Sequence, residues 1–339
     1  MKTPLVLALV FALCAPSPHI RAEEGKPLSF GLSLAGLPLT RDRIDAAARE
    51  TGLPVRLVNF YLQWPSNPAQ GYVPLDTLQA VDDAGALPCV TWEPMHYETG
   101  NEVMIAAETI LSGGYDRYID DFAAAVREWG KPLLIRFGHE MNLARYHWGS
   151  AAENFGPKSP EQYAQMFRHV RKRFRAAGAD NAAFVFCPNA ESVPNPSHDP
   201  EAAWNTVSAY WPGEEYVDVL GMDGYNWGLS RTPEKDGWQS SFQSFAEIFG
   251  SVREELSALA PSLPLAVFET ASVDLGGDKG RWIEDAFTTA GEWRLHGLVW
   301  FQENKELDWR IQSGSGTTWR DAVAPLVDGA MPAWLTKEE

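Results

Sequence analysis

Leu133-Leu-Ile-Arg-Phe-Gly-His-Glu-Met-Asn142 has the pattern of a buried strand that ends abruptly in polar chemistry. Leu133, Leu134 and Ile135 form the apolar run of a strand covered on both faces, as in a parallel sheet. Arg136, His139, Glu140 and Asn142 then crowd into seven residues. A strand interior has no use for so many polar groups, whereas a strand end that opens into an active site does. Leu263-Pro-Leu-Ala-Val-Phe-Glu-Thr270 has the same shape and carries Glu269 near its end. Two carboxylates, each at the end of a buried strand, are the minimum equipment for cleaving a glycosidic bond.

Outward from these two stretches, apolar strand patterns alternate with amphipathic helix patterns. Strands are predicted over 29–34, 55–61, 87–92, 133–137, 183–187, 217–222, 265–268 and 295–301. Helices are predicted over 41–51, 74–84, 102–111, 115–129, 160–177, 242–259 and 281–290. Alternating β and α in one domain implies a parallel sheet. Eight strand units predict closure into a (β/α)8 TIM barrel of the α/β class, with its site at the C-terminal ends of the strands. The irregular stretch 189–214, with four Pro, is long enough to roof a cleft.

The 339 residues and 45% hydrophobic content support one large core. A net charge of −17 argues against nucleic acid and anionic membrane surfaces as partners. Lys2, the apolar run from Leu5 to Ala15 and a cleavage site at Ile20-Arg-Ala22 predict a signal peptide over 1–22. The catalytic domain is then 23–339, secreted or periplasmic, and a monomer is expected. The leader is too short to span a bilayer, and Leu13 before Cys14 argues against a lipid anchor. Cys89 and Cys187 fall in strand patterns as free buried thiols. There is no paired-Cys motif, and no metal or cofactor is expected.

The strand exits test the barrel reading. Strand two leaves through Tyr61-Leu-Gln-Trp64, strand three through Trp92-Glu-Pro-Met-His96 and strand five through Asn189. Strand six leaves through Asp223-Gly-Tyr-Asn-Trp227 and strand eight through Trp300-Phe-Gln-Glu-Asn304. Aromatic, acidic and amide residues facing one rim describe a polysaccharide cleft. Alternation by two puts Arg136, Gly138 and Glu140 on the inner face, and Leu265, Val267 and Glu269 likewise. The two carboxylates would converge over the barrel mouth, with Arg136 beneath.

Arg136-Phe-Gly-His-Glu-Met-Asn142, with Trp148-Gly149 downstream, resembles the acid/base motif of glycoside hydrolase family 26. That family holds β-mannanases, lichenase-type β-glucanases and β-1,3-xylanases. It belongs to a clan of barrels whose acid/base follows strand four and whose nucleophile follows strand seven. The resemblance implies that Glu140 is the acid/base and Glu269 the nucleophile. It implies that His139 contacts sugar, that Tyr225 hydrogen-bonds the nucleophile and that Trp300 is a sugar platform. Trp92, Glu93, Asn142, Trp148 and Arg145 complete the expected substrate-binding set. Two departures stand out. Arg145 occupies a position where mannanases carry Trp, and Trp92-Glu93-Pro94 is similar to the glucanase branch. Arg145 would either favour an acidic sugar or pair with a rim carboxylate.

The reaction expected is retaining hydrolysis of a β-1,4-linked or mixed-linkage polysaccharide, mannan or β-glucan, by double displacement. Three rivals stand beside it. A metal hydrolase would use Glu93, His96, His139 and Asp223, but Leu143 stands where a zincin carries its second His. A carbohydrate-binding barrel would use the same cleft without hydrolysis. An exopolysaccharide-processing glycosidase or transglycosylase would use the same two acids.

Overall fold

A computed structural model describes residues 28–148, 152–312, 318–330 and 332. The predicted signal peptide and Gly149 lie outside the described residues. The chain opens with β1 (Ser29–Ser33), α1 (Arg41–Thr51), β2 (Leu57–Gln63), α2 (Leu75–Asp83) and β3 (Leu87–Glu93). A hairpin of β4 (Met95–Glu98) and β5 (Asn101–Met104) follows, then α3 (Ala107–Leu111), α4 (Asp116–Trp129) and β6 (Leu133–Phe137). Next come α5 (Ser159–Ala176), β7 (Ala182–Phe186), β8 (Val219–Asn226), α6 (Pro233–Asp236) and α7 (Phe245–Leu259). The last elements are β9 (Leu265–Ser272), α8 (Lys279–Glu292), β10 (Gly297–Phe301) and α9 (Thr318–Val323).

Eight strands close a barrel in the order β1-β2-β3-β6-β7-β8-β9-β10, and every neighbouring pair is parallel. The expected (β/α)8 barrel is therefore the fold. Local signals set the helix ends. The Thr40 side chain caps α1, which stops at left-handed Gly52. Ser244 and Glu247 form a reciprocal capping box on α7. Alternate residues of the strands, among them Leu57, Leu134, Val185, Ala266 and Phe268, pack as a separate cluster inside the barrel. The opposite faces pack against the helices in the larger core. A Cβ on Gly221 would lie 2.8 Å from both Cys187 Sγ and Phe268 Cδ2, so only glycine fits that interior position. Among the described residues no helix is long and apolar enough to cross a membrane.

Two expectations need correction, and one stretch is as expected. The helix expected over 102–111 begins only at Ala107, because Asn101–Met104 pairs with Met95–Glu98 in the β4–β5 hairpin. The stretch expected to be irregular, between β7 and β8, carries only short 3-10 turns around Pro200–Ala202, Val207–Tyr210 and Glu214–Tyr216. Strand β9 also inverts the expected parity. Ala266 and Phe268 face the interior, while Leu265 and Val267 face the helices. A bulge returns Glu269 to the inside: the register steps from Met222↔Val267 directly to Asp223↔Glu269. The β10 side shows the same extra residue, from Leu298↔Val267 to Trp300↔Thr270.

Candidate active site

Arg136 is the floor of the barrel mouth. It is fully buried, and its fork divides among three acceptors. Nη1 donates to Asp223 Oδ2 at 2.5 Å, Nη2 to Glu269 Oε1, and Nε to Thr91 Oγ1 at 2.8 Å. Burial opposes its charge, but Asp223 and Glu269 outweigh burial and push its pKa above the ordinary value. Cys187, a free thiol, donates to the other oxygen of Asp223 at 3.2 Å. Asp223 itself is fully buried, so it acts through Arg136 and does not meet solvent.

Glu269 is held at both of its oxygens. Arg136 holds Oε1, and Tyr225 Oη donates to Oε2 at 2.5 Å. Burial and the adjacent Glu269 carboxylate raise the Tyr225 pKa well above its usual value, so Tyr225 keeps its proton and stays a donor. Tyr61, hydrogen-bonded to Ser33 at 2.9 Å, completes this side of the mouth.

Glu140 sits beyond the end of β6, where the chain turns sharply. Gly138 has φ 52 and Glu140 itself has φ 50. A left-handed glutamate costs roughly 1–3 kcal/mol and is kept only where surrounding contacts fix it. Here its N–H donates to the Cys187 carbonyl at 2.8 Å. Asn189 Nδ2 donates to Glu140 Oε1 at 2.7 Å. Burial first, and the nearby Glu269 second, push the Glu140 carboxyl up to about 7. The two acids thus differ in surroundings. One is gripped by an arginine and a tyrosine, whereas the other is desolvated and touched by a single amide.

Both acids line one cleft of about 1210 Å³, together with His139, Tyr225, Glu93 and Arg145 from the expected set. Burial and the charge of Arg136 lower the His139 pKa well below its usual value, so its imidazole is neutral. Glu93 accepts from Gln63 Nε2, and burial pushes its carboxyl up to about 7. Arg145 pairs with Glu102 of the β4–β5 hairpin at 2.8 Å and stacks over Tyr146, so it takes the rim-carboxylate role. Of the metal rival's four residues, Glu93 and His139 line the cleft, while Asp223 is fully buried against Arg136. Among the described residues no group of three or more His, Cys, Asp or Glu is arranged to hold a metal.

Four expected substrate contacts lie in the core instead. Trp92 donates to Tyr118 Oη at 3.0 Å and packs against Phe122 and Trp64. Trp300 donates to the Trp309 carbonyl at 2.9 Å and is fully buried. Trp148 donates to the His139 carbonyl at 2.6 Å and so braces the Glu140 turn from behind. Asn142 holds the backbone of Asn189, accepting from its N–H at 2.9 Å and donating to its carbonyl at 2.9 Å. These residues position the site and do not line it. Strand-end tryptophans fill the space between barrel and helices when they point outward, which is the case for Trp92 and Trp300. Trp309 is buried against Tyr225 and Trp227, and the open part of the cleft's aromatic lining includes Trp238 and Tyr97. The last two are 46% and 56% exposed, open enough to stack on a ring. The strand-exit pattern contained Asn189, Gln63, Tyr61 and Trp227 but did not rank them. No sequence signal separates Trp238 from the buried tryptophans.

The model of the family described as glycosyl hydrolase family 26 matches residues 100–257. That span contains Glu140 and ends before Glu269. Endoglucanase H of Acetivibrio thermocellus is 34% identical over 236 residues, covering 69% of this chain and 24% of that protein. A mannan endo-1,4-beta-mannosidase of Bacillus subtilis is 27% identical over 111 residues, covering 32% of this chain and 27% of its own. The chain therefore spans only about a quarter of the length of these relatives. A β-mannanase structure from Bacteroides ovatus superposes with a TM-score of 0.58 at 19% identity, over 93% of this chain and 94% of that one. The structure of a modular endo-β-1,4-mannanase from Cellulomonas fimi gives 0.61 at 16% identity, over 93% of this chain and 74% of that one. At those identities the structures share the barrel.

Proposed function

Because this chain belongs to glycosyl hydrolase family 26, we propose that it is a retaining endo-β-glycanase acting on a β-linked polysaccharide, with Glu269 as nucleophile and Glu140 as acid/base. The observation that carries this reading is the pair of unlike carboxyls on one cleft. Arg136 and Tyr225 hold Glu269 by both oxygens, which aims it. Glu140, raised to about 7, holds a proton at neutral pH and releases it readily.

In the first step a Glu269 oxygen attacks the anomeric carbon as the glycosidic bond breaks, and Glu140 gives its proton to the departing oxygen. The product is a covalent glycosyl-enzyme. In the second step Glu140 takes a proton from water, the hydroxide attacks the anomeric carbon, and the ester to Glu269 breaks. Retaining enzymes hold the two carboxyls about 5–5.5 Å apart, too close for a water between them. Arg136 also offsets the negative charge of Asp223 beneath the site.

A β-glucan is the substrate this reading favours over mannan. The endoglucanase relative aligns with 69% of the chain at 34% identity, against 32% at 27% for the mannosidase. Arg145 paired to Glu102 supports the same choice, because it leaves no stacking tryptophan at that position. The acidic chain with its Lys2-to-Ala22 leader supports secretion or a periplasmic location, and a monomer. NMR of the first product released from a mixed-linkage β-glucan tests the reaction. A β-anomer is expected, and an α-anomer would overturn double displacement.

A further inference from the structure

One carboxyl in the cleft has no task in the double displacement. Glu93 ends β3, and Gln63 ends β2 directly opposite it in register. Glu93 is 3% exposed, yet among the described residues no cation forms an ion pair with it. Its recorded side-chain partner is the Gln63 amide, which donates to Oε2. Among the described residues no hydrogen bond is made to Oε1. Burying a carboxyl this far without a counter-charge destabilises a fold. Neither β2 nor β3 needs it, because the two strands already pair over seven residues through their backbones. Both side chains line the cleft beside His139, Glu140 and Glu269. Arg136 and Glu269 are near enough to bear on the ionisation of Glu93, which puts the pair beside the reacting centre.

We propose that Gln63 and Glu93 form a hydroxyl-recognition pair that selects a glucose-configured over a mannose-configured ring bound against Glu269; this rests on the glycanase reading. A flat carboxyl and amide side by side match two neighbouring equatorial hydroxyls, which leave a pyranose ring nearly in one plane. Glucose offers such neighbours at C2 and C3. Mannose turns the C2 hydroxyl axial and leaves a buried polar group of the pair unmatched, the situation that gives a site its discrimination. Burial holds Glu93 near about 7, so below that pH it donates as well as accepts, as does an amide.

The test is kcat/KM on cellotetraose, a mixed-linkage glucotetraose and mannotetraose, for wild type, Glu93→Ala, Gln63→Ala and the double variant. The wild type is expected to prefer a gluco substrate. Each single variant is expected to lose about tenfold or more on it and under threefold on mannotetraose, and the double variant to lose less than the product of the two. Gln63 is only half-buried, so Gln63→Ala tests the idea even where Glu93→Ala folds poorly. A wild type that prefers mannotetraose, or variants that change thermal stability while the gluco/manno ratio stands, would overturn the selection role and leave the glycanase reading intact. A wild type that cleaves no β-glycan would overturn that reading itself.

Discussion

Arg136→Met removes the single guanidinium that Asp223 and Glu269 share. Methionine matches the aliphatic stem but leaves two buried carboxyls facing each other. Breaking a buried ion pair from one side costs about 3–5 kcal/mol, because the remaining charge has nowhere to go. Here one residue serves two acids, both under 10% exposed, so the upper end of that range is expected. The loss should depend on pH in a definite direction. An unpaired buried carboxyl has a folded pKa above its unfolded value of about 3.9. Its penalty is absent below the unfolded pKa and grows as pH rises toward and past the folded pKa. The stability gap between variant and wild type should therefore be widest at pH 7–8 and narrow toward pH 4–5. Urea unfolding followed by tryptophan fluorescence at several pH values measures it. Arg136→Lys should recover part of the stability, since it keeps the charge but not the fork. An Arg136→Met variant within about 1 kcal/mol of wild type at pH 7.5, or a gap that widens on acidification, would refute the assigned role of Arg136.

Further outcomes follow from the same contacts. Tyr225→Phe removes the 2.5 Å donor to Glu269 and should lower kcat about 10- to 100-fold with little change in unfolding, as expected for one bond to a charged group. Since Glu140 must be protonated for bond cleavage and is raised to about 7, kcat/KM should fall as pH rises through that value. In Glu140→Gln that basic limb should disappear along with about 10²- to 10⁴-fold of the rate. Lys279 Nζ donates to the carbonyls of Trp309 and Arg310 at 3.0 and 2.9 Å, pinning the loop that presents Trp309. Lys279→Met should cost about 1–3 kcal/mol of stability, read by urea unfolding, by leaving those carbonyls unpaired.

The barrel was legible in the sequence because eight buried strands need eight apolar runs, and nothing else in the chain has that period. The carboxyl pair was legible because acids at strand ends stand out against such runs. The tryptophans were not. Trp92 and Trp300 end strands as a sugar platform would, but which face an end residue takes depends on neighbouring strands, and both turn toward the helices. The hairpin Met95–Met104 hid behind a helical pattern because four-residue strands carry too few residues to show alternation. The residue type of Arg145 left two roles open, an acidic sugar or a rim carboxylate, since its partner Glu102 lies 43 residues away.

The bulge at Phe268 has a consequence for length. Phe268 and Glu269 are consecutive, yet both point to the barrel axis, one as a hydrophobic plug and one as an acid. Regular alternation over the same residues would turn Glu269 out among the helices, whereas deleting Phe268 would close the bulge and leave the acid opposite Asp223. Such a deletion takes the Phe268 plug from the barrel interior and keeps the acid inward. The extra residue therefore lets one strand supply a packing group and a carboxyl to the same face in succession.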